Sequence, residues 1–133
     1  MAAADKTFAS VPTPQYLAAI AHHVSSVCVI ATEIDGARYG LTATAVASVS
    51  AEPPRLLACV NKSGLTHQKI VAAEAFDCVI AEMSEQSSHT VLFGDVVATQ
   101  HRAGRDTPLY GARRFRQLRK VYSGMQGGQE EFL

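Results

Sequence analysis

Gly40-Leu41-Thr42-Ala43-Thr44-Ala45-Val46-Ala47-Ser48-Val49-Ser50 is followed, after Glu52-Pro53-Pro54, by Arg55-Leu56-Leu57-Ala58-Cys59-Val60-Asn61-Lys62-Ser63-Gly64 and then Thr66-His67. In an extended chain successive side chains face opposite ways. Read as one strand from Tyr39 to Ser50, the first segment puts Leu41, Ala43, Ala45, Ala47 and Val49 on one face and Thr42, Thr44, Val46, Ser48 and Ser50 on the other. One face is small and apolar, the other mostly hydroxylic. The prolines break the chain, and Arg55 to Val60 then reads as a buried strand. Asn61-Lys62-Ser63-Gly64 is a polar turn into a helix that Ser63 or Thr66 can cap and that runs through Ile70, Val71 and Ala73 to about Ala75.

Small side chains let a flat ring approach the backbone, hydroxyls and N–H groups can bond its polar edge, and Lys62 with a helix N-terminus can hold a phosphate. These are the parts of a mononucleotide cradle. The same pattern also describes an ordinary half-exposed strand followed by a capped helix, and spacing alone leaves both readings open.

Working outward, Thr13-Pro14 opens a helix over about Pro14 to Val24, with Leu17, Ile20, Ala21 and Val24 at helical spacing. Val27 to Thr32 is a β-branched run, and Asp35-Gly36 joins it as a hairpin to the strand from Tyr39. Further strands are expected at Phe76 to Ala81, Thr90 to Thr99 and Leu109 to Leu118, the last two joined by a basic loop containing Gly104. Short strands with two short helices predict a mainly β domain, a small antiparallel barrel or sandwich.

The 133 residues fit one domain, with residues 1–12 and 123–133 expected as flexible ends. Apolar residues make up 47% and charged residues 18%, which suffices for a core and excludes a disordered chain. Twelve basic and twelve acidic residues cancel, so no global field draws the chain to nucleic acid or membrane. Locally, residues 101–120 hold seven basic side chains against Asp106 alone, a segment that is either a solvated face or an attractor of phosphates, and Phe115 is too little aromatic surface for a nucleic-acid platform. The opening residues show no apolar leader and no apolar run is long enough to span a bilayer, so a cytoplasmic protein is expected. Cys28, Cys59 and Cys78 lack metal-site spacing and read as core thiols; His22, His23 and His101 read as surface residues, and no metal is expected. Signatures of P-loop, Rossmann, serine-hydrolase and zinc-protease chemistry are lacking, so no covalent or metal catalyst is implied.

The Gly40 to Ser50, Pro53 to Ser63 and Thr66-His67 segments resemble the short-chain flavin reductases, whose fold is the FMN-binding split barrel and which supply reduced flavin to two-component monooxygenases. Tyr16 to Asp35, Phe76 to Glu82, His89 to Val97 and Pro108 to Leu118 resemble the family's flanking elements. The resemblance implies a small antiparallel split β-barrel and NAD(P)H:flavin oxidoreductase activity, with FMN or FAD as cofactor and NADH or NADPH as co-substrate. It also implies a homodimer, and a monooxygenase served through diffusible reduced flavin. It places Thr42, Ala43, Thr44, Ala45 and Ser48 at the flavin ring and ribityl chain, and Asn61, Lys62, Ser63, Thr66 and His67 around the phosphate. His89, Tyr110 and Arg113 fall toward the nicotinamide side. No catalytic acid or base is required, because hydride transfer mainly needs the two rings aligned and water excluded.

One departure stands out. The family normally carries a long segment with a helix and at least one barrel strand between the equivalents of Glu82 and His89, where this chain has only Met83-Ser84-Glu85-Gln86-Ser87-Ser88. An incomplete barrel would expose a strand edge that a second subunit could cover. The alternative function is a non-catalytic flavin-binding or dimerising remnant of the family.

Overall fold

In the computed structural model the described residues are 9–100 and 107–117. The N-terminal end as far as residue 8, the basic loop with Gly104, His101 and the tail 123–133 lie outside them.

The Asp35-Gly36 signal forms the hairpin expected of it: both residues have positive φ, 53° and 76°, the backbone of a tight turn matched to strand twist. This turn joins β2 (Cys28–Ile34) to β3 (Ala37–Ala43) as a two-stranded antiparallel ribbon. A five-stranded sheet follows, containing β4 (Val46–Ala51), β5 (Pro54–Asn61), β6 (Ala75–Phe76), β7 (Cys78–Glu85) and β8 (His89–Asp95). Its order is β4-β5-β8-β7-β6, with neighbours antiparallel. Two helices, α1 (Thr13–Ile20) and α2 (Leu65–Ala73), and a small sheet of β1 (Ser25–Ser26), β9 (Leu109–Gly111) and β10 (Arg114–Arg116) complete the described chain. The result is mainly β and antiparallel, with the ribbon hydrogen-bonded to the large sheet outside any strand ladder, so the barrel is not closed.

What fastens the ribbon to the sheet is local. The buried Thr32 hydroxyl donates to the Ala75 carbonyl at 2.7 Å, and Asp77 answers Ala31 twice, through its own N–H to the Ala31 carbonyl and through its carboxylate to the Ala31 N–H. Beneath these bonds lies the core, formed by Ile30, Ala58, Val60, Ile70, Phe76, Cys78 and Leu92, with Leu41, Ala43, Val46 and Leu56 packed against it. Ile70 is the residue through which α2 enters that core. Burial and neighbouring Asp77 and Asp95 push the Cys78 thiol up, so it stays protonated, as a packing thiol should.

Several expectations are corrected. The single strand Tyr39 to Ser50 is two strands, interrupted at Thr44-Ala45, where the Ala45 carbonyl accepts from the Cys59 N–H at 2.9 Å. The break resets the alternation: Val46, rather than Ala47, joins Leu41 and Ala43 against the core, and a bulge between Ser48 and Ser50 leaves Val49 exposed. Of the strand expected at Leu109 to Leu118, Leu118 lies outside the described residues, and the described part, 109–117, folds back on itself as β9 and β10, around a turn in which Ala112 and Arg113 take positive φ. Gly111 precedes it because a Cβ there would lie 2.6 Å from Val24 Cγ2. The first helix ends at Ile20 and the late strand at Asp95. The strand begun at Phe76 is split, and its second part runs on to Glu85, because Met83, Ser84 and Glu85 pair with Leu92, Val91 and Thr90. The shortened connection is therefore a hairpin loop of Gln86, Ser87 and Ser88, closed by Gln86 N–H on the His89 carbonyl at 2.9 Å.

Candidate functional site

The break at Thr44-Ala45 is what opens a site. A groove of about 450 Å³ is lined by Leu41, Thr42, Ala43, Thr44 and Ala45 from the end of β3 and the break, by Cys59, Val60 and Asn61 from β5, by Ser63 and Gly64 of the turn, and by His89. That size falls in the range that holds a cofactor-sized ligand. Two smaller pockets adjoin it through shared residues. One is lined by Val27, Thr42, Ala43, Thr44, Tyr110 and Phe115; the other includes Ser25, Thr44, Tyr110 and Arg113. Thr44 lines all three, and Tyr110 stacks edge-on against Phe115 with ring centroids 5.3 Å apart.

Thr42 to Ala45, Asn61 and Ser63 are thus brought together as expected, and His89 joins them in the main groove, its strand position opposite Asn61. Tyr110 and Arg113 lie in the adjoining pockets. Ser48 does not line the groove; it sits on β4 opposite Leu56. The expected cap is also different. Gly64 occupies the N-cap of α2, where no side chain bonds the first-turn N–H groups. Ser63 Oγ and N–H both donate to Asn61 Oδ1 at 2.9 Å, and Thr66 Oγ1 donates to the Gly40 carbonyl at 3.2 Å. Asn61 therefore stiffens the turn, Thr66 pins α2 to β3, and the start of α2 keeps its donors available to an anion.

Lys62 and His67 face a different set of partners. Lys62 Nζ pairs with Glu85 Oε2, and His67 Nε2 lies 2.8 Å from the buried Thr90 hydroxyl, which donates to Glu85 Oε1 at 3.0 Å. Hydrogen bonds from Lys62 first, then Thr90, hold the Glu85 carboxyl below the usual glutamate range, against an opposing desolvation.

Cys59 is a groove residue that sequence reasoning assigned to the core. Its signal was present: Ala58 and Val60 are buried, so Cys59 and Asn61 share the opposite face of β5. Among the described residues, no cluster of three or more His, Cys, Asp or Glu could hold a metal ion. Donors on an uncapped helix start, small side chains along one wall and hydroxyls beside them fit a flat, phosphate-bearing ligand.

Fold and groove together define an antiparallel, mainly β domain of the split-barrel class with an open groove at the break after β3. Residues 20–76 match the model of the flavin reductase like domain. The FMN reductase (NADH) RutF of Ancylobacter novellus is 29% identical over 149 aligned positions, covering 76% of this chain and 82% of that protein. The reductase component of a 4-nitrophenol 4-monooxygenase/4-nitrocatechol 2-monooxygenase from Rhodococcus opacus is 33% identical over 90 positions, covering 62% of this chain and 48% of that protein. Among solved structures, the flavin reductase PheA2 in its native state superposes with a TM-score of 0.78 at 18% identity, covering 83% of this chain and all of that one. Within residues 20–76 the chain thus carries a flavin reductase-like domain, and its solved neighbours share the fold. The 149 aligned positions exceed its whole length of 133, so the RutF relative carries residues for which this chain has no counterpart.

Proposed function

We propose that the chain is an NAD(P)H-dependent flavin reductase that supplies reduced FMN or FAD to a partner monooxygenase, and that it acts as a homodimer. The observation that carries the reading is the convergence on one groove of Thr42–Ala45, Asn61, Ser63 and Gly64, the last at the N-cap of α2, where no side chain caps the helix. Its relatives' activities point the same way. The bound flavin would accept a hydride from the dihydronicotinamide. Around it, Ala43 and Ala45 leave room for a ring to approach the backbone, Thr42 and Thr44 offer hydroxyls to its polar edge, and Ser63 with the α2 N-terminus receives the phosphate. His89 borders the groove, and Tyr110 and Arg113 border the pockets that meet it at Thr44, where a nicotinamide would have to stack. Holding two rings face to face and excluding water is the whole catalytic task assigned to the chain.

The dimer is supported by apolar surface that the described chain leaves uncovered: Tyr16, Leu17 and Ile20 of α1 are exposed, as are Val79 and Met83 of β7. Among the described residues, β7 beyond Val79 has a strand partner on one side only.

Titration of the purified protein with FMN and FAD, followed by NADH and NADPH oxidation, tests the enzyme. Saturable flavin binding and flavin-dependent oxidation well above a protein-free blank are expected. Flavin binding with oxidation no faster than the blank would leave a flavin-binding remnant, and no binding at all would remove the site.

A further inference from the structure

The tight β7–β8 hairpin brings a carboxylate onto the lysine of the proposed phosphate end. In the sheet register Glu85 lies opposite Thr90, Thr90 opposite Val60, and His89 opposite Asn61. The Lys62 backbone N–H then donates to the Ser88 carbonyl at 3.0 Å, which ties the turn after β5 to the hairpin loop. Glu85 is aimed rather than merely nearby. Thr90 is fully buried, and its single hydroxyl proton is committed to Glu85 Oε1, so at the 2.8 Å contact His67 Nε2 must be the donor. A chain of donors from α2 through the core therefore fixes one carboxylate oxygen, and the other meets Lys62. Carboxylate and phosphate are both acceptor-only anions, and they compete for the same three ammonium protons.

We propose that Glu85 is a specificity-determining residue of this site: it holds the Lys62 ammonium in the free protein, so a flavin phosphate reaches Lys62 only by displacing the carboxylate, and preference for phosphorylated over unphosphorylated flavin is reduced. The proposal rests on the flavin-site reading above. It adds that the short hairpin, by carrying Glu85 to Lys62, sets how much the phosphate contributes to binding.

A double-mutant cycle of Lys62→Ala, Glu85→Gln and the double variant, each titrated with FMN and with riboflavin, tests it. Riboflavin has the same ring and ribityl chain without the phosphate. Glu85→Gln should tighten FMN on the order of tenfold, the scale of one charge-assisted contact at a half-exposed site, and leave riboflavin unchanged. The gain should vanish in the Lys62→Ala background. An unchanged ratio of FMN to riboflavin affinity, or a gain that survives without Lys62, overturns the proposal while riboflavin binding keeps the flavin site. Failure of every variant and the wild type to bind either flavin overturns both. Should Glu85→Gln not fold, the carboxyl-carbon NMR shift of Glu85 in the wild-type protein decides: FMN must move it and riboflavin must not, and a signal indifferent to FMN overturns the proposal.

Discussion

Arg55 and Asp95 face each other across β5 and β8, with Nε 2.7 Å from Oδ1. The hydrogen bond from Arg55 is the largest influence on Asp95, and it holds the carboxyl below its ordinary value of 3.8, against desolvation and with Arg55's charge assisting. A carboxylate whose pKa is lower folded than unfolded stabilises the fold above the unfolded value, and that contribution disappears as pH falls through the folded one. The Arg55 guanidinium stays charged throughout, its own pKa being raised by the same bond. Wild-type protein should therefore lose more stability than Asp95→Asn between about pH 5 and pH 2, measured by urea midpoints across that range. Parallel losses in the two proteins would mean that the pair is no more than a surface contact. The same sign applies to Glu85, which Lys62 and Thr90 keep ionised.

At the scale of elements, β8 is the strand that the rest of the molecule is built against, flanked by β5 and β7 along its length. Gly94, near its end, is opposite Leu56 on one side and Ile80 on the other. A Cβ at Gly94 would lie 2.6 Å from Cys78 Cβ and 2.7 Å from Phe76 Cζ, so the first residues of β7 and the end of β6 pack directly over its backbone. Gly94→Ala should destabilise the protein by about 1–3 kcal/mol, the usual cost of overpacking a filled site. Gly40→Ala, whose added carbon would meet nothing nearer than 3.5 Å, should cost less than about 0.5 kcal/mol. Urea unfolding of the two variants measures the contrast, and equal effects would show that β6 and β7 yield freely to β8. The β7–β8 hairpin is tight. Three loop residues suffice for it, since β7 simply continues to Glu85.

At the scale of the molecule, the core of seven buried apolar residues found among the described residues is small beside the apolar surface that these residues leave exposed on α1 and β7. The stretch of β7 beyond Val79, which carries exposed Met83 and has one strand partner among the described residues, invites pairing with another chain, and a two-fold partner is the commonest way to cover it. Light scattering after size exclusion should report about twice the 14.2 kDa of one chain, and dilution that separates the subunits should release bound flavin and expose dye-binding surface together. A stable monomer that retains flavin would overturn the dimer and leave the groove self-sufficient. Among the described residues no helix is long and apolar enough to cross a membrane.

The sequence alone determined the elements whose signals are local. Asp35-Gly36 can take two positive φ angles in succession, so the β2–β3 hairpin was legible before any partner was known, and so were the strand from Arg55 to Val60 and the helix after the Asn61 turn. The Thr42–Ala45, Asn61 and Ser63 parts of the groove were also legible, because small and hydroxylic residues on a strand next to a helix start carry their chemistry in their spacing. Only the tertiary structure decided what depends on distant neighbours. The break at Thr44-Ala45 is set by Ala45 bonding Cys59 across the sheet, and it reversed which residues face the core. The turn at Ala112-Arg113 carries no turn-forming side chain of its own; Gly111 before it lies against Val24, and the Ala112 N–H donates to the distant Ala21 carbonyl. Lys62, read from sequence as reaching toward a phosphate, is held by Glu85 twenty-three residues away, since strand register, which no local pattern encodes, puts the two charges side by side.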